Sequence, residues 1–178
     1  MNKEVELFAA EIRYEIARQM AKLGFGHVGG AMSMADLIAV LYGKQMNYDP
    51  KEPKKEDRDY LVCSKGHAGP AIYAALALKG FFPMEALDTL NQGGTILPSH
   101  CDMNLTPGID MTTGSLGQGM STAIGIALGN KMKNLKNTTY VILGDGELNE
   151  GQVWEGAMFA AAKKIDNIIA VVDWNKKQ

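Results

Sequence analysis

The sequence is poor in the features that mark specialised environments. It has two cysteines, Cys63 and Cys101, in 178 residues, too few for a disulfide framework. No apolar run approaches the ~18 residues that a membrane helix needs, so no membrane partner is expected. The opening Met1-Asn2-Lys3-Glu4-Val5-Glu6 lacks the long apolar core of a signal peptide. Charge of one sign is also scarce. Eighteen basic against twenty acidic residues leave a net charge of −2, so there is no broad basic footprint and nucleic acid is a poor partner. These absences lead to the expectation of a cytoplasmic protein.

What is present is globular. Hydrophobic residues are 46% and charged residues 21%, ordinary for a folded domain. A chain of this size hides roughly 70% of its unfolded surface, and its length gives a prior of one domain, 1–178. Glycine is abundant, with 20 residues against a usual ~7%. The run Ile168-Ile169-Ala170-Val171-Val172-Asp173 reads as a buried strand. It ends five residues before Gln178, which leads to the expectation that the domain is cut short.

Apolar positions at Val5, Phe8, Ala9, Ile12, Ile16, Met20 and Leu23 predict a first helix, stopped by Gly24-Phe25-Gly26. The stretch His27-Val28-Gly29-Gly30 reads as loop. Ser33 with Asp36 three residues on predicts the capped start of a second helix, running to about Met46. The mixed charges of Asp49 to Asp59 read as a solvated loop. Tyr60-Leu61-Val62-Cys63 predicts a strand, then a turn and a helix over Ala68 to Lys79. A short helix is predicted over Met84 to Leu90, and an irregular stretch over Gln92 to Thr113. A glycine loop leads into a helix ending near Met132. The order strand (Thr139 to Leu143), loop, helix (Gly151 to Lys164), strand (Asn167 to Asp173) is a βαβ unit, hence an α/β fold with a parallel sheet flanked by helices.

In such sheets ligands sit at the carboxyl ends of the strands. Two strands end in hard oxygen donors: Gly144-Asp145-Gly146, and Asp173-Trp174-Asn175. If the strands are neighbours, Asp145 and Asn175 come together. A carboxylate and a carboxamide at one rim suit Mg2+ or Ca2+ and leave positions for phosphate oxygens. The flanking glycines let backbone N–H groups approach an anion. Either segment alone also reads as an ordinary turn.

Gly-Asp-Gly, 28 intervening residues and then Asn after a hydrophobic strand is the thiamine diphosphate motif. With the following Glu147-Leu148-Asn149-Glu150-Gly151-Gln152-Val153-Trp154-Glu155, it closely resembles transketolase. The resemblance implies a thiamine diphosphate-binding fold, with thiamine diphosphate and a divalent metal, Mg2+ or Ca2+, as cofactors. It implies Asp145, Asn175 and the carbonyl of Lys177 as metal ligands, and Gly146, Glu147 and Asn175 at the cofactor.

Thr113-Gly114-Ser115-Leu116-Gly117-Gln118-Gly119 resembles the loop that cradles the cofactor in that family, implicating Gly114, Ser115 and Leu116. Read alone, it is also a tight loop allowing close helix packing. The three histidines match family positions. Gly26-His27-Val28-Gly29 departs from the pattern, since proline commonly follows this His. The resemblance assigns His27 to substrate and proton handling, His67 of Ser64-Lys65-Gly66-His67 to the diphosphate, and His100 of Pro98-Ser99-His100 to substrate. A near-neutral imidazole suits sugar hydroxyls and moving protons. Glu150 is implied to meet a glutamate of the partner half-site; read locally, it is a helix N-terminal charge. Cys63, His67, His100 and Cys101 total four zinc-type ligands. No Cys-x-x-Cys is present, and adjacent His100 and Cys101 tend to point apart, which argues against zinc.

Most specifically, the chain resembles the N-terminal subunit of a split transketolase, truncated at its C-terminus. The implied activity is two-carbon ketol transfer between sugar phosphates. The implied partner is a C-terminal pyrimidine-binding subunit, in a homo- or hetero-oligomer, with the chain inactive alone. A non-catalytic remnant, deoxyxylulose-phosphate synthase and 2-oxo acid dehydrogenase components are the alternatives.

Overall fold

The computed structural model describes residues 2–176. Helix α1 spans Lys3–Leu23 and buries Val5, Phe8, Ala9, Ile12, Ile16 and Met20 along one stripe, as helical spacing requires. The Asn2 side chain accepts the Glu4 amide at 3.2 Å at its start. Gly24, at φ 80°, ends it with its own amide on the Met20 carbonyl.

Helices α2 (Val28–Met32) and α3 (Ala35–Val40) follow, and a π turn, Leu41–Gln45, extends α3. This corrects two sequence expectations. The His27–Gly30 stretch is already the head of a helix, and Ser33 closes α2 instead of capping the next helix. The Ser33 hydroxyl donates to the Asp173 carboxylate at 2.6 Å, while Asp36 pairs with Arg13. Tertiary contacts engage both side chains that the capping box needed.

Strands β1 (Tyr60–Cys63), β2 (Thr139–Gly144) and β3 (Ile168–Asp173) form a parallel sheet in that order. Cys63 lies opposite Ile142, and Gly144 opposite Asp173. Helix α4 spans Gly69–Leu78, α5 Gln118–Met132 and α6 Gly151–Ala162. Short 3-10 turns cover Gly66–Ala68, Met84–Thr89 and Gly146–Asn149. Alternation along the strands divides the core between two faces. Leu61, Cys63, Tyr140 and Ile142 pack with α1, α3 and α4. Val62, Val141 and Leu143 pack with Met120, Ala123 and Ile124 of α5 and Val153 of α6. Each large aliphatic chain so buried contributes about 1.5–3 kcal/mol. The result is a parallel sheet flanked by helices, as the βαβ pattern predicts.

Strand β3 corrects a further expectation. It lies at the sheet edge, with Ile169 46% and Val172 40% exposed. An unbroken apolar run is the signature of a strand covered on both faces, but here only Ile168 packs against the α5–α6 core.

Candidate active site

Gly66 carries the turn after β1 past Thr113 so closely that a Cβ would strike the Thr113 carbonyl. Thr113 donates its amide to the Cys101 carbonyl at 3.1 Å and its hydroxyl to the Cys63 carbonyl at 2.6 Å. The Cys101 amide donates to Gly66 O at 3.3 Å. These bonds bring the loop bearing His100 beside the turn bearing His67, and His27 heads α2 next to both. Ring centroids are 4.8 Å apart for His27–His67, 6.2 Å for His27–His100 and 6.4 Å for His67–His100. Burial, reinforced by the charges of His27, Lys65 and His100, lowers the His67 pKa to about 4. His67 is therefore a neutral imidazole at pH 7, able to donate from one nitrogen and accept at the other. Ser99 Oγ and His100 Nδ1 share a hydrogen bond of 3.0 Å.

Two cavities meet at these rings. One, of about 450 Å³, is lined by His27, His67, Lys65, Leu116 and the Gly144–Glu147 turn with Asn175. The other, of about 210 Å³, is lined by apolar Met20, Phe25 and Leu90 and by polar Asn91, Ser99 and His100. His27 and His67 line both. The larger cavity of about 820 Å³ between Lys54–Tyr60 and Met103–Asp110 lies at the other end of β1 and holds none of the predicted residues.

Asp145 follows β2 and lines the larger histidine cavity. Its carboxylate accepts the Gly146 amide at 3.1 Å and the Lys176 amide at 3.0 Å. The second bond draws the turn after β3 to Asp145 and sets Asn175 on the same cavity. The donor set is hard oxygen, which fits Mg2+ or Ca2+. Lys177, the third predicted ligand, lies outside the described residues. Among the described residues no three His, Cys, Asp or Glu side chains are grouped to hold a metal, so a cation here would also draw on carboxamide, backbone or ligand oxygens. Cys63 and Cys101 line a separate apolar space with Tyr42, Leu61 and Ile72, apart from the two histidine cavities. Hydrogen bonding to Cys101, and then burial, push the Cys63 thiol up, which makes it a poor thiolate ligand.

Glu147 is 1% exposed. Its carboxylate accepts the Ser64 hydroxyl, the Gly117 amide at 2.6 Å and the Gly144 amide at 3.0 Å. One buried charge thus joins the turn after β1, the glycine loop and the end of β2. Gly117, at φ 87°, takes a left-handed conformation, and a Cβ there would lie 2.8 Å from Glu150 Cβ. Gly114 lies against the His100 ring, Ser115 O accepts the Gln118 amide at 3.3 Å, and Leu116 reaches the larger histidine cavity. Glu150 is exposed at the head of α6. It lines neither histidine cavity, so the structure does not bring it together with His27 and His100.

Sequence reasoning missed the network built around Lys65, which itself lines this cavity. The Lys65 ammonium, its side chain 3% exposed, pairs with Asp173 and donates to the Gly30 carbonyl at 2.7 Å. Its only sequence signal is a lysine placed directly after a strand and before Gly-His.

Comparison with known proteins shows the family. The family described as transketolase, thiamine diphosphate binding domain, matches residues 5–178. The 6-deoxy-6-sulfo-D-fructose transketolase subunit SqwG of Clostridium sp. (strain MSTE9) is 59% identical over 94% of the chain and 61% of its own length. An apulose-4-phosphate transketolase subunit of Phocaeicola vulgatus is 39% identical over 98% of the chain and 62% of its own length. A transketolase of Pichia stipitis in complex with sedoheptulose 7-phosphate superposes with a TM-score of 0.93 at 32% identity, over 99% of this chain and 28% of that one. The chain thus spans about three-fifths of the two subunit relatives. It belongs to the transketolase family, in the thiamine diphosphate binding domain.

Proposed function

We propose that the chain supplies the diphosphate- and metal-holding part of a split transketolase, as the N-terminal subunit, and transfers two-carbon ketol units between sugar phosphates together with a C-terminal pyrimidine-binding subunit. The observation that carries this reading is that Asp145 and Asn175 line the same cavity as His27 and His67. Two relatives bear the name of transketolase subunits, which supports a divided enzyme and an oligomer in which the site is completed by another chain.

Asp145, Asn175 and the Lys177 carbonyl would hold Mg2+ or Ca2+, which would supply positive charge for the diphosphate. Neutral His67 hydrogen-bonds the diphosphate. The backbone of Gly114, Ser115 and Leu116, with Gly146, lies against the cofactor. Glu147 acts on it through the loops that it braces. Bound thiamine diphosphate supplies the nucleophilic ring and the electron sink for cleaving the bond beside a ketose carbonyl. His27 and His100 bind substrate hydroxyls and move protons at them, with the 210 Å³ cavity as the space for the sugar. Glu150 faces the partner's half-site.

The test is two-carbon transfer by the purified chain with thiamine diphosphate and Mg2+, alone and after addition of the pyrimidine-binding subunit. Turnover is expected only with both. The first ketose to assay beside fructose 6-phosphate is 6-deoxy-6-sulfo-D-fructose, since the relative named for it is 59% identical. Turnover by the chain alone, or none in the assembled pair with any ketose phosphate or sulfonate, overturns the reading.

A further inference from the structure

The Lys65 side chain leaves the turn after β1 and crosses the end of β2, its Cδ lying 3.7 Å from the Cβ position of Gly144. Its ammonium then reaches two acceptors: the Gly30 carbonyl of α2 at 2.7 Å and the Asp173 carboxylate at the last residue of β3. The same Asp173 oxygen accepts the Ser33 hydroxyl at 2.6 Å. Both members of the pair are withdrawn from solvent, Lys65 to 3% and Asp173 to 11% side-chain exposure. Asp173 stands two residues before Asn175. On the far side of Asn175, the Lys176 amide is tied to Asp145 at 3.0 Å. The turn that presents Asn175 is therefore held at both ends, by an ion pair before it and a backbone bond after it.

We propose that Lys65 and Asp173, with Ser33, are positioning residues that fix the distance and orientation of Asn175 relative to Asp145. They do so without themselves ligating the cation. This rests on the reading of Asp145 and Asn175 as cation ligands. A carboxylate with two donors has one preferred orientation, and a buried ammonium has few other acceptors to reach. The pair therefore restricts the turn to one geometry before any cation arrives, as groups behind metal ligands do in general.

The experiment titrates Mg2+ at fixed thiamine diphosphate on the assembled enzyme and reads cofactor binding by calorimetry, with thermal melting measured alongside. Lys65→Met and Asp173→Asn are expected to raise the half-saturating Mg2+ concentration about 10–100-fold. Ser33→Ala, which keeps the ion pair, should raise it a few-fold. The Lys65→Met, Asp173→Asn double variant should match the single variants rather than add to them. If Lys65→Met does not fold, Asp173→Asn and Ser33→Ala decide. An ion pair that only supports the fold would lower the melting temperature and leave the Mg2+ requirement where it was, and that result overturns the proposal. Asp145→Ala separates the two readings. If it abolishes Mg2+-dependent binding while the other variants match the parent, only the positioning role falls. If Asp145→Ala leaves the Mg2+ requirement unchanged, the cation-site reading falls, and the positioning role with it.

Discussion

The Glu147 carboxylate accepts the amide of Gly117 at 2.6 Å, across 30 residues of chain. The same group also takes the Ser64 hydroxyl and the Gly144 amide, so three loops of the candidate site are fastened to one buried charge. Hydrogen bonds to a charged group are worth about 1.5–3 kcal/mol each, and a buried donor left without its acceptor costs about as much again. Glu147→Ala should therefore destabilise the chain by several times ~1 kcal/mol, and Glu147→Gln by about 2–3 kcal/mol, since one of the two accepting oxygens becomes an NH2 group that donates and cannot accept. Urea unfolding of both variants checks this. A loss under ~0.5 kcal/mol, the range of ordinary surface changes, would show that the three loops hold without the brace.

Gly117 is the loop's second fixed point. Alanine there must adopt φ 87° with its Cβ 2.8 Å from that of Glu150. A non-glycine residue in this conformation costs about 1–3 kcal/mol, and the contact adds to it. Gly117→Ala should lower stability by at least ~1 kcal/mol in the same unfolding assay. A neutral result would mean that the loop can take another conformation at little cost.

Asp110, buried, and His67, half-buried, should act in opposite directions on stability between pH 4 and 6.5. Burial raises the Asp110 pKa to about 6, despite opposing contributions from Arg58 and the Leu61 amide. Unfolded Asp titrates near ~3.9. Between these values the native state binds the extra proton, so Asp110's stabilising contribution is full below ~3.9 and is lost as pH rises through about 6. His67 does the reverse. Its native pKa of about 4 lies below the unfolded ~6.5. Its contribution is full above ~6.5 and is lost as pH falls through about 4. Asp110→Asn should thus make stability climb more steeply with pH in this window, and His67→Asn should make it climb less or fall. Urea unfolding at several pH values measures both slopes. Parallel curves for the parent and both variants would contradict the assignment.

Much of the fold could be read from the sequence because its cues are local. Short apolar runs mark β1 and β2, an amphipathic stripe marks α1, and Gly24 ends that helix. The departures share a physical cause. Ser33 and Asp36 have the spacing of a helix start, but partners at Asp173 and Arg13 claim their side chains. Lys65 stood in view within Ser64-Lys65-Gly66-His67, yet its partner lies 108 residues on, and no spacing rule reaches that far. Strand β3 is apolar from Ile168 to Val172, so its sequence promises cover on both faces, while its edge position leaves Ile169 and Val172 open. At the site, the gathering of His27, His67 and His100 came from the family resemblance. Each histidine alone, after a Gly or Ser in an irregular segment, reads as an ordinary surface residue.

The central claim is that Asp145 and Asn175 hold a cation that in turn holds a diphosphate. Calorimetric titration of the chain with thiamine diphosphate, with Mg2+ and with chelator, tests it most directly. The predicted result is binding with a Kd of about 1 μM, or about −8 kcal/mol, that needs Mg2+ and is lost in Asp145→Ala. Binding of equal strength in chelator and in Asp145→Ala would contradict it, as would no binding at all.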